Sequence, residues 1–143
     1  MNISVTEADK DIKIMMDVCR TVSRFSTATR AQVGAVVFNT KTRNIVSFGY
    51  NGMPAGQSNI CEVDGKTKPD VIHAEVNAIR KLSWWQSRRH YVLGVTHAPC
   101  LNCATAILHS RIPRVYYLEP YGDMRGVGRL LDHGIKVIRV LWT

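Results

Sequence analysis

No stretch of this chain approaches the roughly 20 consecutive apolar residues needed to cross a bilayer, so no membrane-spanning helix is expected. There is no internal repeat and no low-complexity segment. The first residues, Met1 to Asp11, are polar and acidic and lack the apolar centre of a signal peptide. Cysteine is sparse, with four in 143 residues. Acidic residues are outnumbered, 11 against 19 Lys and Arg, for a formal charge of +8. That excess suits anionic partners, either nucleic acid or small nucleotides. Yet the bases are scattered, including Arg24, Arg30, Lys41, Arg43, Arg88, Arg89, Arg111 and Arg114, and no run of five or six marks a basic tail. A solvated surface with a few phosphate-contacting side chains is expected. Neither a membrane nor a nucleic-acid partner is.

What is present is ordinary for a globular protein: 45% hydrophobic and 21% charged residues. The length allows a real core, and residues 1–143 read as one domain. Thr6-Glu7-Ala8-Asp9 looks like a helix start with Thr6 as cap, and Ile12, Met15, Met16, Cys19 and Val22 continue at helical spacing to about Ser23. Gln32–Phe38 and Ile45–Gly49 read as an antiparallel strand pair. The segment from Gln57 to Asp70 reads as a surface loop. Helices are expected from Glu75 to about Leu82, over Cys100–His109 and over Val127–Asp132. Strands are expected at Tyr91–Thr96, Arg114–Leu118 and Ile135–Leu141. Trp84 and Trp85 are assigned to the core or to a subunit contact. The alternation in the second half calls for a largely parallel sheet, which the opening hairpin makes mixed and five-stranded.

Two segments carry chemistry, His73-Ala74-Glu75 and Pro99-Cys100-Leu101-Asn102-Cys103. Cys100 and Cys103 are i and i+3, so on a helix they share a face. Pro99 suits a helix start, where its missing N–H would be unpaired anyway. One imidazole and two thiolates make three protein ligands for a tetrahedral zinc, which is the ligand count of a catalytic site. Zinc lowers the pKa of bound water to about 7, and Glu75 remains free to move protons. The competing reading is a structural zinc with a solvated Glu75. Cys19 and Cys61 fall outside the pattern. As free thiols they fit a reducing cytoplasm. Gly49-Tyr50-Asn51-Gly52-Met53-Pro54-Ala55-Gly56 is a turn whose glycines would let a ligand approach the backbone.

H-x-E…P-C-x-x-C is the signature of the zinc deaminases. Together with the GYNGMPAG turn, the run His73-Ala74-Glu75-Val76-Asn77-Ala78-Ile79 and Val33-Gly34-Ala35-Val36, it makes the chain resemble the deoxycytidylate (dCMP) deaminases, in a compact form like those of phages and large viruses. The resemblance implies a cytidine-deaminase-like three-layer α/β/α sandwich. It implies zinc-dependent hydrolysis of dCMP to dUMP and ammonia, feeding thymidylate synthesis. It also implies a homohexamer activated by dCTP and inhibited by dTTP, with Mg2+ accompanying the triphosphate. Carried over by position, His73, Cys100 and Cys103 hold one zinc and Glu75 shuttles protons. Asn51 bonds the deoxyribose hydroxyl, and Tyr121 covers the nucleotide. Ser23 and Arg24 lie near the phosphate. The backbone around Ala74 and Ala98 reads the pyrimidine edge, and Gly52, Met53 and Gly56 fall at the effector site. Three alternatives stay open: a dCMP/dCTP bifunctional enzyme, a deaminase of bases in tRNA or single-stranded nucleic acid, and a catalytically silent nucleotide sensor.

Overall fold

Alternating side chains along one central strand divide the core in two. In the computed structural model, which describes residues 1–142, that strand is β2 (Gly34–Asn39). Its Val36 and Phe38 pack with Ile12, Met15, Met16 and Cys19 of α1 (Lys10–Ser23). Its Ala35 and Val37 point the other way, into a cluster with Ala74 and Ala78 of α2 (Ala74–Ile79) and with Ala104 and Ile107 of α3 (Leu101–Ser110). Leu130 of α4 (Arg125–Asp132) joins the same cluster. The sheet is therefore sandwiched between α1 and the other three helices, which is the three-layer arrangement expected. Each buried Ile, Met or Val of α1 contributes about 1.5–3 kcal/mol of transfer free energy, so Met15→Ala at this fully buried position would cost about 2–5 kcal/mol.

The sheet order is β1 (Asn2–Ser4), β8 (Lys136–Leu141), β7 (Arg114–Glu119), β6 (Tyr91–His97), β2, β3 (Asn44–Tyr50). β1, β8, β7 and β6 run parallel, and β2 is antiparallel to both of its neighbours. The sheet thus has six strands rather than five. The extra one is β1, which pairs Ile3 with Val140. The helix start also differs from expectation. Ser4 accepts the N–H groups of Glu7 and Ala8 in a turn of their own, so α1 begins later, with the Asp9 carboxylate capping the Ile12 N–H at 3.0 Å. The expected loop 57–70 contains a small hairpin, β4 (Glu62–Val63) with β5 (Lys66–Thr67), turning at Asp64-Gly65 with φ of 53° and 74°. α2 ends at Ile79, three residues short of the expected Leu82. Among the described residues no helix is long and apolar enough to cross a membrane.

Candidate active site

β6 and the segment that follows β4–β5 deliver two helix starts to one place. His73 is the N-cap of α2 and Cys100 the N-cap of α3, both with extended backbone. An N-cap side chain ordinarily accepts a hydrogen bond from its own helix. Neither of these does, so both are free to face each other. Cys103 lies in the first turn of α3 and is buried. His73 Nδ1 is 3.2 Å from Cys103 Sγ and 3.6 Å from Cys100 Sγ, and all three ligand atoms lie within 4.8 Å of one another. Tetrahedral zinc with ordinary Zn–N and Zn–S bonds holds N and S about 3.5 Å apart. The donor set fits that ion in chemistry and spacing.

Electrostatics separate the two thiols. Hydrogen bonds from Cys103 and His73 pull the Cys100 thiol down to about 4, whereas the hydrogen bond to Cys100 and burial push Cys103 up. Bonding to Cys100 raises His73. Glu75 is 4% exposed, and burial raises its carboxyl. A buried carboxyl beside a metal-binding triad is the arrangement expected of a proton carrier. Two glycines let the frame close. A Cβ on Gly49 would sit 2.6 Å from the Ala74 carbonyl oxygen, and one on Gly126 would sit 2.6 Å from that of Cys100.

A cavity of about 260 Å³ opens over these groups. Its wall includes His73, Ala74, Glu75, Ala98, Cys100, Asn51 and Tyr121, so most of the sequence-assigned residues converge. Asn51 is already occupied in part: Oδ1 accepts the Val33 N–H at 2.9 Å and Nδ2 donates to the Ala31 carbonyl at 2.8 Å. One amide hydrogen and one lone pair are left for a ligand. The Ala98 N–H is taken by the Glu119 carbonyl at 2.8 Å. Ala74 opens α2, and its N–H is among those with no acceptor within the helix.

Ser23 and Arg24 are not in this wall. They end α1, where the Ser23 hydroxyl donates to the Arg20 carbonyl and Arg24 is the exposed C-cap. Gly52 bridges to Ile72, tying the turn to the residue before His73. Met53 packs on Ala28, Cys61 and Val71, and Gly56 takes a φ of 83° in open space. Sequence reasoning missed Arg30, Glu62, Thr67 and His97, all of which line the cavity. Glu62 accepts the Thr29 and Arg30 N–H groups at 2.9 and 3.2 Å, and Arg30 reaches Thr67 Oγ1 at 3.3 Å. Desolvation raises the Glu62 carboxyl, but those N–H bonds outweigh it and hold it below the ordinary range. Among the described residues Arg30 is the one Arg or Lys in the wall.

Residues 8–119 match the model of the cytidine and deoxycytidylate deaminase zinc-binding region. The chain belongs to this deaminase family. A probable deoxycytidylate deaminase of Caenorhabditis elegans is 33% identical over a 126-residue alignment that covers 81% of this chain and 62% of that protein. An uncharacterized deaminase in the luxG 3′ region of Aliivibrio fischeri is 38% identical over 104 residues, 71% of this chain and 68% of that one. The crystal structure of dCMP deaminase from the cyanophage S-TIM5, in complex with dCMP and dUMP, superposes with a TM-score of 0.83 at 34% identity. The match covers 93% of this chain and 99% of the phage protein. The chain thus spans 62% and 68% of the two cellular deaminases and nearly all of the phage one. Its sheet and helices form the cytidine-deaminase-like α/β fold of the family.

Proposed function

We propose that this chain, read as one deaminase domain, hydrolyses dCMP to dUMP and ammonia. The observation that carries the reading is the buried Glu75 beside His73, Cys100 and Cys103, in a cavity whose wall brings a single guanidinium, Arg30. When bound by the three ligands, zinc supplies Lewis-acid polarisation and an acidified water. Glu75 accepts a proton from the water that adds to C4 of the cytosine and delivers it to N3. It then takes the proton of the new C4 hydroxyl and gives it to the departing amine, so that C4–N breaks as C4=O forms. One carboxyl acting as base and then as acid supplies about 10²–10⁴-fold by such transfers. Asn51 offers its remaining amide hydrogen to the sugar, Tyr121 closes over the ring, and Arg30 meets the phosphate. One guanidinium suits one phosphate, which favours dCMP over dCTP.

The regulatory reading is a further proposal. dCTP activation, dTTP inhibition, magnesium with the triphosphate, Gly52, Met53 and Gly56 at the effector site and a hexameric assembly are supported by the GYNGMPAG resemblance. Exposed Phe48 and Tyr50 on the edge strand β3 offer a face for self-association. A reducing cytoplasm suits the free thiols of Cys19 and Cys61.

Loss of cytosine absorbance with dCMP, dCTP and deoxycytidine supplied in parallel tests the proposal. Consumption of dCMP in strong preference to the other two is expected. Equal use of dCTP would make the enzyme bifunctional, and no turnover by zinc-loaded protein would overturn the free-nucleotide reading.

A further inference from the structure

The far end of the sheet from the reaction cavity carries a second, larger cavity of about 590 Å³. Trp84, Arg88, Arg89, His109 and Arg111 line it, with no carboxylate in its wall among the described residues. Trp84 is 85% and Trp85 70% exposed, with ring planes at 85° and centroids 5.9 Å apart. Neither indole is therefore in the core, one of the two roles expected of them. Arg88 anchors this loop to the end of α3, donating to the carbonyls of Ser110 and Ser83 at 2.9 and 3.1 Å. Its Nε is buried with no hydrogen-bond partner.

The folded sheet turns scattered bases into a row. Asn39 at the end of β2 pairs with Tyr91 at the start of β6, and Arg114 at the start of β7 pairs with Lys136 at the start of β8. Lys41, Arg89, Arg114 and Lys136 therefore mark the same end of four adjacent strands, three of them exposed and Arg114 half-buried with Nη1 donating to the Tyr116 hydroxyl at 3.4 Å. At about 4.8 Å per strand the row spans about 14 Å. From Val76 to Leu118 the chain contains no Asp or Glu. Of the carboxylates near this end, Asp11 is paired with Arg43 at 2.8 Å, Asp9 caps the Ile12 N–H and also acts on Arg43, and Asp132 closes α4. His109 and Arg111 also complement the negative end of α3, but that role does not extend to Lys41, Arg89, Arg114 or Lys136.

We propose that this end of the sheet binds single-stranded nucleic acid, with phosphates along the row and an unpaired base stacked on Trp84. Exposed aromatics beside a cationic track are the physical requirement for that ligand. A free nucleotide would fill the cavity and leave Arg114 and Lys136 uncovered. An acidic peptide would use the row but not the indole. The seven-residue strand β6 separates this surface from Cys100 by about 20 Å, so a base stacked on Trp84 is not the base undergoing reaction.

Fluorescence anisotropy of a labelled oligothymidylate 20-mer with the zinc-loaded chain tests the proposal. Binding is expected to weaken with salt, with a log–log slope near −3 for about four phosphate contacts at roughly −0.7 each. Arg89→Ala and Lys136→Ala should each flatten that slope by about 0.7. Trp84→Ala should weaken binding at least about fivefold, while Trp84→Phe retains it. Saturating dCMP should not displace the oligonucleotide. Thermal unfolding of each variant checks that it is folded. Three results would overturn the proposal: no binding at about 50 mM salt, displacement by dCMP, or polyglutamate competing equally well while Trp84→Ala has no effect.

Discussion

Gly126 packs so closely on Cys100 that a Cβ built on it would lie 2.6 Å from the Cys100 carbonyl oxygen. α4 thereby buttresses the loop that presents one of the three metal ligands. Gly126→Ala must push that loop, at an overpacking cost of about 1–3 kcal/mol. The strain falls on the ligand geometry, so zinc affinity should drop about tenfold or more, the scale typical of groups that support metal ligands. Gly128 sits two residues along the same helix with nothing within 4 Å of its Cβ position. Gly128→Ala should leave zinc binding unchanged and raise stability by up to about 1 kcal/mol through helix propensity. Chelator competition and thermal unfolding on the pair read the contrast directly. Equal zinc affinity in both variants would show that α4 does not support the site.

Glu75→Gln separates chemistry from metal holding. Glutamine is a close isostere of the buried glutamate, so the fold and one zinc per chain should survive. Turnover should fall by at least about 10²-fold, because the amide carries no proton between water, N3 and the leaving amine. Cys103→Ala should lose both zinc and turnover. Metal analysis beside a rate assay checks both. Near-normal turnover in Glu75→Gln would remove it from the proton path.

The metal triad was legible because its geometry is local. Cys100 and Cys103 share a helical turn, and His73 and Glu75 share another, so spacing places each half, and the H-x-E…P-C-x-x-C signature joins the two. The cavity wall was less legible because it is assembled from distant turns. Arg30 becomes a cavity residue only when Glu62, 32 positions on, captures its N–H. The hairpin that carries Glu62 had a readable signal in Asp64-Gly65, a pair suited to the left-handed residues of a tight turn. β1 had no comparable signal. Its three residues become a strand by pairing with β8 at the opposite end of the chain. Thr6 and Asp9 are both plausible caps by residue type, and only the turn accepted by Ser4 decides between them.

Arg30 and Arg24 make opposite predictions about phosphate recognition. Arg30 is in the cavity wall, while Arg24 caps α1 outside it. A charge-assisted hydrogen bond contributes about 1.5–3 kcal/mol. Arg30→Ala should therefore raise KM for dCMP by about 10- to 150-fold and leave deoxycytidine, which has no phosphate, little changed. Arg24→Ala should alter neither. Steady-state kinetics on both substrates decide the matter. A selective dCMP defect in Arg24→Ala would return the phosphate contact to the residue the sequence pattern first suggested.

His97 gives the fold a pH dependence of its own. Burial at the cavity wall lowers its pKa from the ordinary value near 6.5, against the opposing pull of Glu119. Its Nδ1 lies 3.0 Å from the Thr96 hydroxyl, whose oxygen also accepts the Gly34 N–H at 3.2 Å. With that oxygen already accepting, the hydroxyl hydrogen is free to donate to a neutral imidazole. Because the folded pKa is depressed, the unfolded chain binds the proton first. This contribution to stability is complete above about pH 6.5 and is lost as pH falls from there through the folded value. Thermal midpoints of the zinc-loaded protein between about pH 5 and 7.5 should therefore fall more steeply for wild type than for His97→Asn, which has no titrating ring. Parallel curves for the two proteins would mean that His97 is protonated equally in both states.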